Sequence, residues 1–281
     1  MALSFGIGIA LAGMLLLSFS KVVEKKIVDA AQLFNGAFHI YLARTICLGI
    51  IVFLTKSFKI PPNIPYYMLT IVIGAVSILA LYVAFQQRGI GLPSAIAGSF
   101  VPITIALSIL FYHESFSQRV WAGVVLVLVG IFLASFDFRS LRKLRLLKGS
   151  RYALITLVGW GFFFFLIKGV VVPMGPIPAT FFLEGGIFAV IALFSLCKNA
   201  VRQTTGRVWK LAVLSGILSS AGLLLYYGSI VFIGAALAAT LLQVGVVVSA
   251  ILGAFFFKEQ FDTTKKIAIL ITFIGLLLVT L

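Results

Sequence analysis

Acidic side chains are scarce in this sequence: 281 residues contain seven Asp and Glu, and charged residues of all kinds make up 10%. A soluble domain carries roughly 25% charged residues, and apolar atoms still supply about half its surface. With 62% hydrophobic residues and a mean hydropathy of +1.21, so small a supply of charge excludes a soluble fold of this size. The surrounding solvent must be lipid. Cysteine and histidine are equally sparse, two of each. Cys47 and Cys197 lie in or at the end of apolar runs, which gives neither a disulfide framework nor metal-ligand spacing. No phosphate-cradling G-x-x-x-x-G-K-[ST] occurs, so the chain does not hydrolyse nucleotide by that device. No cofactor is implied. The carboxylates and histidines do not cluster as the chemistry of a membrane-embedded transferase requires.

Long apolar runs are abundant. A helix needs about 20 mostly apolar residues to cross the hydrocarbon core, because every backbone group must bond within the segment. Ten segments qualify: 3–20, 37–55, 66–85, 92–112, 119–136, 152–172, 178–197, 211–232, 235–257 and 266–281. The opening MALSFGIGIALAGMLLLSFS has no basic n-region and no small-residue cleavage site, so it is expected to remain as the first span. KIPPNIP (59–65) and PMGPIP (173–178) punctuate the spans on either side of them. The formal charge of +15 resides mainly between apolar runs. It therefore marks membrane-flanking anchors and a bilayer partner, not a nucleic-acid surface.

The chain also repeats itself. At an offset of 145, residues 82–136 align with 227–281 without a gap, with ten of 55 positions identical. The anchors include Tyr82/Tyr227, Gly89/Gly234, Phe111/Phe256, Glu114/Glu259 and Gly130/Gly275. The expected architecture is all-α and integral to the membrane: ten transmembrane helices as two five-helix repeats, 1–140 and 152–281, joined by a basic loop, 141–151. Because five is odd, the second repeat enters from the opposite side, and an inverted repeat places a solute site near the midplane where the halves meet.

The second-half residues GAALAATLLQVGVVVSAILGAFFFKEQF and IGLLLV resemble the EamA-type module of the drug/metabolite transporter superfamily. So do GLPSAIAGSFVPITIALSILFYHESF and VGIFLASF in the first half, Pro102 of the fourth span included. Arg44, in LARTICLGIIVFL, falls where that module commonly has an arginine in its second helix, and WGFFFFLIK (160–168) resembles the start of its second repeat. Two positions depart from the pattern: Ala12-Gly13 stands where a first-helix tryptophan is often found, and Val247 replaces the second-repeat proline. The resemblance implies a secondary transporter, an exporter of small organic solutes such as amino acids, similar metabolites or drugs. A flippase for lipid or lipid-linked substrates on the same fold, and more remotely a membrane transferase, stay open. Oligomeric state stays open as well.

Seventeen of the 22 basic residues fall in the connections that share a side with the basic loop, against Lys56, Lys59 and Arg119 on the other. The positive-inside rule then puts both termini outside a cell (inner) membrane. Ten-helix members of the resembled family are usually described with both termini inside.

Charge deep in a span costs at least ~2.5–3.5 kcal/mol and needs a reason. Arg44 and Glu184 are the two deep charges in this reading, at matching places in the second and seventh spans. They are expected to line a cavity and orient a charged or zwitterionic solute, or to form an interhelical ion pair. Glu184 is expected to be the only membrane-embedded carboxylate, hence the candidate for proton coupling. Tyr41 shares a helical stripe with Arg44. Trp160, Tyr82, Tyr227 and Gln243 are further cavity candidates. Glu114 and Glu259 close spans just before a new helix, with Ser117 or Asp262 as N-cap, and are expected, with Pro102, to serve as structural or hinge residues. Lys168 is expected to snorkel to the interface, and His39 to be a hydrogen-bonded packing residue.

Overall fold

Helices account for all the regular structure among the described residues, and their outward faces are apolar. The computed structural model describes residues 2–88, 96–135, 150–202, 204–257 and 263–280. Nine helical elements run through them: α1 (Ala2–Ala31), α2 (Leu33–Leu54), α3 (Ile64–Arg88), α4 (Val101–Tyr112), α5 (Gln118–Ser135), α6 (Ser150–Met174), α7 (Pro176–Cys197), α8 (Gly206–Phe257) and α9 (Thr263–Thr280). Six helical stretches are long and apolar enough to cross a membrane, from Leu3–Ala31 to Gly206–Gly245. Three shorter apolar ones are Ile96–Tyr112, Gln118–Gly130 and Ile269–Val279.

Polarity is arranged inside out. Phe53, Leu54, Leu110 and Leu193 are exposed, whereas Arg44, Glu184 and many Ser and Thr hydroxyls are buried. In water this would be unstable. In hydrocarbon it is the favourable arrangement, because lipid replaces water at the apolar surface and polar groups bond to one another inside.

The helix ends follow local chemistry. The Asn63 side chain accepts a hydrogen bond from the Tyr66 N–H (3.1 Å) and starts α3. Ser117 accepts one from the Val120 N–H (3.3 Å) and starts α5, as its sequence position suggests. Gly175, at φ 88°, allows the turn from α6 into Pro176 at the head of α7. Pro102 occupies the first turn of α4, after a turn at residues 99–100. It therefore sits where a missing N–H costs nothing, not within a continuous helix.

Two departures from the expected spans matter. α1 does not stop at residue 20 but continues to Ala31. Ser20, Ile27 and Ala31 are buried and Glu24 is half-buried; these residues recur at helical spacing on one face, and that face packs inward. The second departure is α8, which joins the eighth and ninth expected spans through a break at Gly234 (φ 77°, ψ 171°).

Contacts between helices depend on small residues. α1 lies against α8, where a Cβ on Gly13 would meet the Gly222 carbonyl oxygen at 2.8 Å. α5 lies against α9 in the same way, a Cβ on Gly123 meeting the Gly275 carbonyl at 2.7 Å. Backbones approach this closely only where side chains are absent. α3 pairs with α6, and α2 is wedged against α7 and α8. Gly245 of α8 faces Met14 and Ser18 of α1, and the Ser18 hydroxyl donates to the Gly245 carbonyl (3.3 Å).

Candidate functional site

Arg44 lies near the middle of α2 with its side chain 10% exposed. Each nitrogen of its guanidinium has a different partner. NH1 donates to Glu184 Oε2 of α7 (2.9 Å), NH2 to Glu24 Oε1 of α1 (3.0 Å), and Nε to Ser219 Oγ of α8 (3.0 Å). The Tyr41 ring supports the guanidinium at 4.6 Å. The Ser220 hydroxyl donates to the Arg44 carbonyl (3.2 Å). The Tyr227 hydroxyl approaches Glu184 Oε1 at 3.4 Å. Tyr82 stands close to Tyr41 and edge-on to Phe34, 6.5 Å between ring centroids. Four helices thus converge on one charge, and two glutamates face one arginine.

Glu24 corrects the sequence reading of Glu184 as the sole embedded carboxylate. It reaches Arg44 because α1 is longer than its apolar run. Its Oε1 also accepts from the hydroxyls of Ser20 (3.0 Å) and Ser215 (3.4 Å). The run KVVEKKIVDAA reads as a charged loop by composition. The buried stripe through Ser20, Glu24, Ile27 and Ala31 is the signal that would have extended the helix. Unlike Glu184, at 5%, the Glu24 side chain is 26% exposed. It lies in the last third of α1, beside Lys21, Lys25 and Lys26 in sequence.

The other sequence candidates distribute elsewhere. Trp160 packs edge-on to Phe100 (5.8 Å) and Phe164 (6.4 Å), in an aromatic group that extends through Phe164 to Tyr226 (5.9 Å). The fully buried Tyr226 hydroxyl has no hydrogen-bond partner among the described residues. Gln243 donates to the Gly98 carbonyl (2.9 Å) and fastens α8 to the turn before α4. His39 bonds through Nδ1 to the Asn35 carbonyl oxygen (2.7 Å) and pairs through Nε2 with the Thr204 hydroxyl (3.2 Å). With Phe38, Arg202 and Trp209 it borders a cleft of about 490 Å³, displaced along α2 from Arg44.

A second charged group surrounds Glu114. Its Oε1 and Oε2 accept from the N–H groups of Ala235 (2.8 Å) and Ala236 (3.0 Å), and Lys168 pairs with Oε1 at 2.7 Å. Glu114 caps the arm of α8 that restarts after Gly234, in the other half of the chain. Lys168 turns to this carboxylate, over the Tyr112 ring at 4.5 Å. An orphaned helix N-terminus carries free donors and partial positive charge, so a carboxylate satisfies both. Glu259 and Gly89, the repeat partners of Glu114 and Gly234, lie outside the described residues, as does most of the basic connecting loop.

A bundle of apolar helices with buried ionic groups and lipid-compatible outer faces defines a multi-pass membrane protein. The chain belongs to the EamA-like transporter family, whose model matches residues 4–136 and again 147–281. That family lies within the drug/metabolite transporter superfamily. No curated protein matches the chain. A solved structure described only as "Crystal structure of protein" is similar over 98% of this chain and 97% of its own, with 16% identity and a TM-score of 0.76. That likeness concerns the fold alone.

Proposed function

We propose that this protein is a secondary transporter of small organic solutes, amino acids or similar metabolites and drugs among them, with the solute bound at the Arg44–Glu184 cluster. The observation that supports this most is the convergence of two carboxylates, the buried Glu184 and the half-buried Glu24, from helices of both halves, on one buried arginine. A purely structural bundle gains little from such a group, because desolvation offsets most of the Coulomb attraction. Ionisable residues inside a membrane protein mark solute or ion pathways by default.

Alternating access between two inverted five-helix halves, ten spans in all, completes the reading. The α8 break at Gly234 falls between the eighth and ninth expected spans, and the packing is consistent with a pseudo-two-fold exchange. α2 meets α7, α5 meets α9, and α3 against α6 mirrors α8 against α1. The two family matches are consistent with the same duplication. The excess of basic residues on one side puts that side in the cytoplasm and both termini outside. A reporter that is active only in the cytoplasm should therefore stay silent when fused to the C-terminus, and activity there would reverse the orientation.

The transport reading is tested with purified protein in liposomes loaded with a metabolite mixture. At least one organic solute should leave protein-containing vesicles faster than empty ones. Folded protein that moves none of them would rule the reading out.

A further inference from the structure

The charge count at Arg44 narrows the solute class. One guanidinium is ion-paired with two carboxylates, so these three side chains carry one negative charge in excess. Lys21, one turn earlier on α1, is exposed and acts on Glu24 only at longer range. Three of the five N–H donors of Arg44 are engaged, by Ser219, Glu184 and Glu24. An incoming carboxylate would bring a third negative charge into a low-dielectric site. Acceptor capacity remains on both glutamates. The hydrogen bonds that Glu24 accepts all fall on Oε1, and Glu184 Oε1 has only the long contact from Tyr227 (3.4 Å). Tyr82 adds an aromatic face of the kind that attracts cations, the Tyr41 ring already carrying the Arg44 guanidinium.

From this we infer that Glu24 is a ligand-binding residue and that the site takes an organic cation, an ammonium or guanidinium compound without a carboxylate. Such a solute neutralises the excess charge of the three side chains and meets the acceptor capacity left on Glu24 and Glu184. A zwitterion leaves the imbalance in place. An anion worsens it. The inference rests on the transport reading for its purpose, while binding alone tests the charge assignment.

Three compounds with the same ring separate the cases: phenethylamine, phenylalanine and 3-phenylpropanoate, titrated calorimetrically at pH 7 into the full chain in lipid nanodiscs. Phenethylamine should bind saturably and about tenfold or more tighter than phenylalanine, since one unneutralised charge in a desolvated site is worth at least that factor. 3-Phenylpropanoate should not bind. Glu24→Gln should weaken phenethylamine about tenfold, while Glu24→Asp, which keeps the charge, stays within about threefold of wild type. Tightest binding of the anion, no saturable binding of the amine, or an unchanged amine affinity in Glu24→Gln would overturn the assignment. Liposome flux distinguishes the two readings. Flux with no preference for the amine defeats the charge assignment and leaves transport standing, whereas amine binding without flux does the reverse.

Discussion

Gly234→Ala is expected to leave little well-folded protein. Gly234 adopts φ 77° and ψ 171°, a region that is essentially reserved for glycine, and holding another residue there costs about 1–3 kcal/mol. The added Cβ would also meet Glu114 Oε1 at 2.5 Å and its carboxyl carbon at 2.6 Å. The carboxylate must then leave the Ala235 and Ala236 N–H groups, and Lys168 loses its partner. Each unsatisfied buried group adds about 1–3 kcal/mol. Glu114→Gln keeps the shape and one good acceptor, so it should be clearly milder. Thermal unfolding of the purified variants in one detergent measures the order. If Gly234→Ala melts with wild type, the carboxylate-capped break is not what holds the two halves in register.

Arg44→Ala should be the most damaging substitution in the bundle centre. It removes the one cation that Glu184 and Glu24 share, leaving two carboxylates facing each other and the Ser219 hydroxyl without its donor. Breaking a buried pair from one side typically costs about 3–5 kcal/mol, and the second carboxylate raises this. Adding Glu184→Gln to Arg44→Ala should recover a substantial part of the loss. Residues in one network are non-additive in this sense. Equal melting of the single and double variants would show that the charges do not interact energetically.

Much of the architecture is readable from composition and spacing alone. Charge starvation and apolar runs point to a membrane bundle, and the repeat of Tyr82, Gly89 and Glu114 at Tyr227, Gly234 and Glu259 points to duplication. Arg44 and Glu184 stand out because charge inside an apolar run is expensive. Glu24 does not stand out, because it sits among lysines just beyond such a run. Only the continuation of α1 turns it towards Arg44. The partner of Glu114 is hidden for a different reason. Its carboxylate meets backbone N–H groups 121 and 122 residues away, and backbone donors leave no mark in a sequence. Trp160 reads as a cavity wall by position, yet its nearest partners are aromatic rings from α6 and the turn before α4. Those contacts depend on tertiary packing.

Whether the Arg44 cluster binds solute or only fastens helices is decided by Glu184→Gln. The substitution keeps the side-chain shape, and Arg44 retains Glu24 and Ser219, so the variant should fold. Flux per folded molecule should be measured in liposomes beside wild type, with melting temperatures taken on the same preparations. A solute site requires flux to fall about tenfold or more, the size of one lost charge-assisted contact, while most of the thermal stability remains. Undiminished flux from a variant with reduced stability would mean that the cluster is a staple and that the solute binds elsewhere.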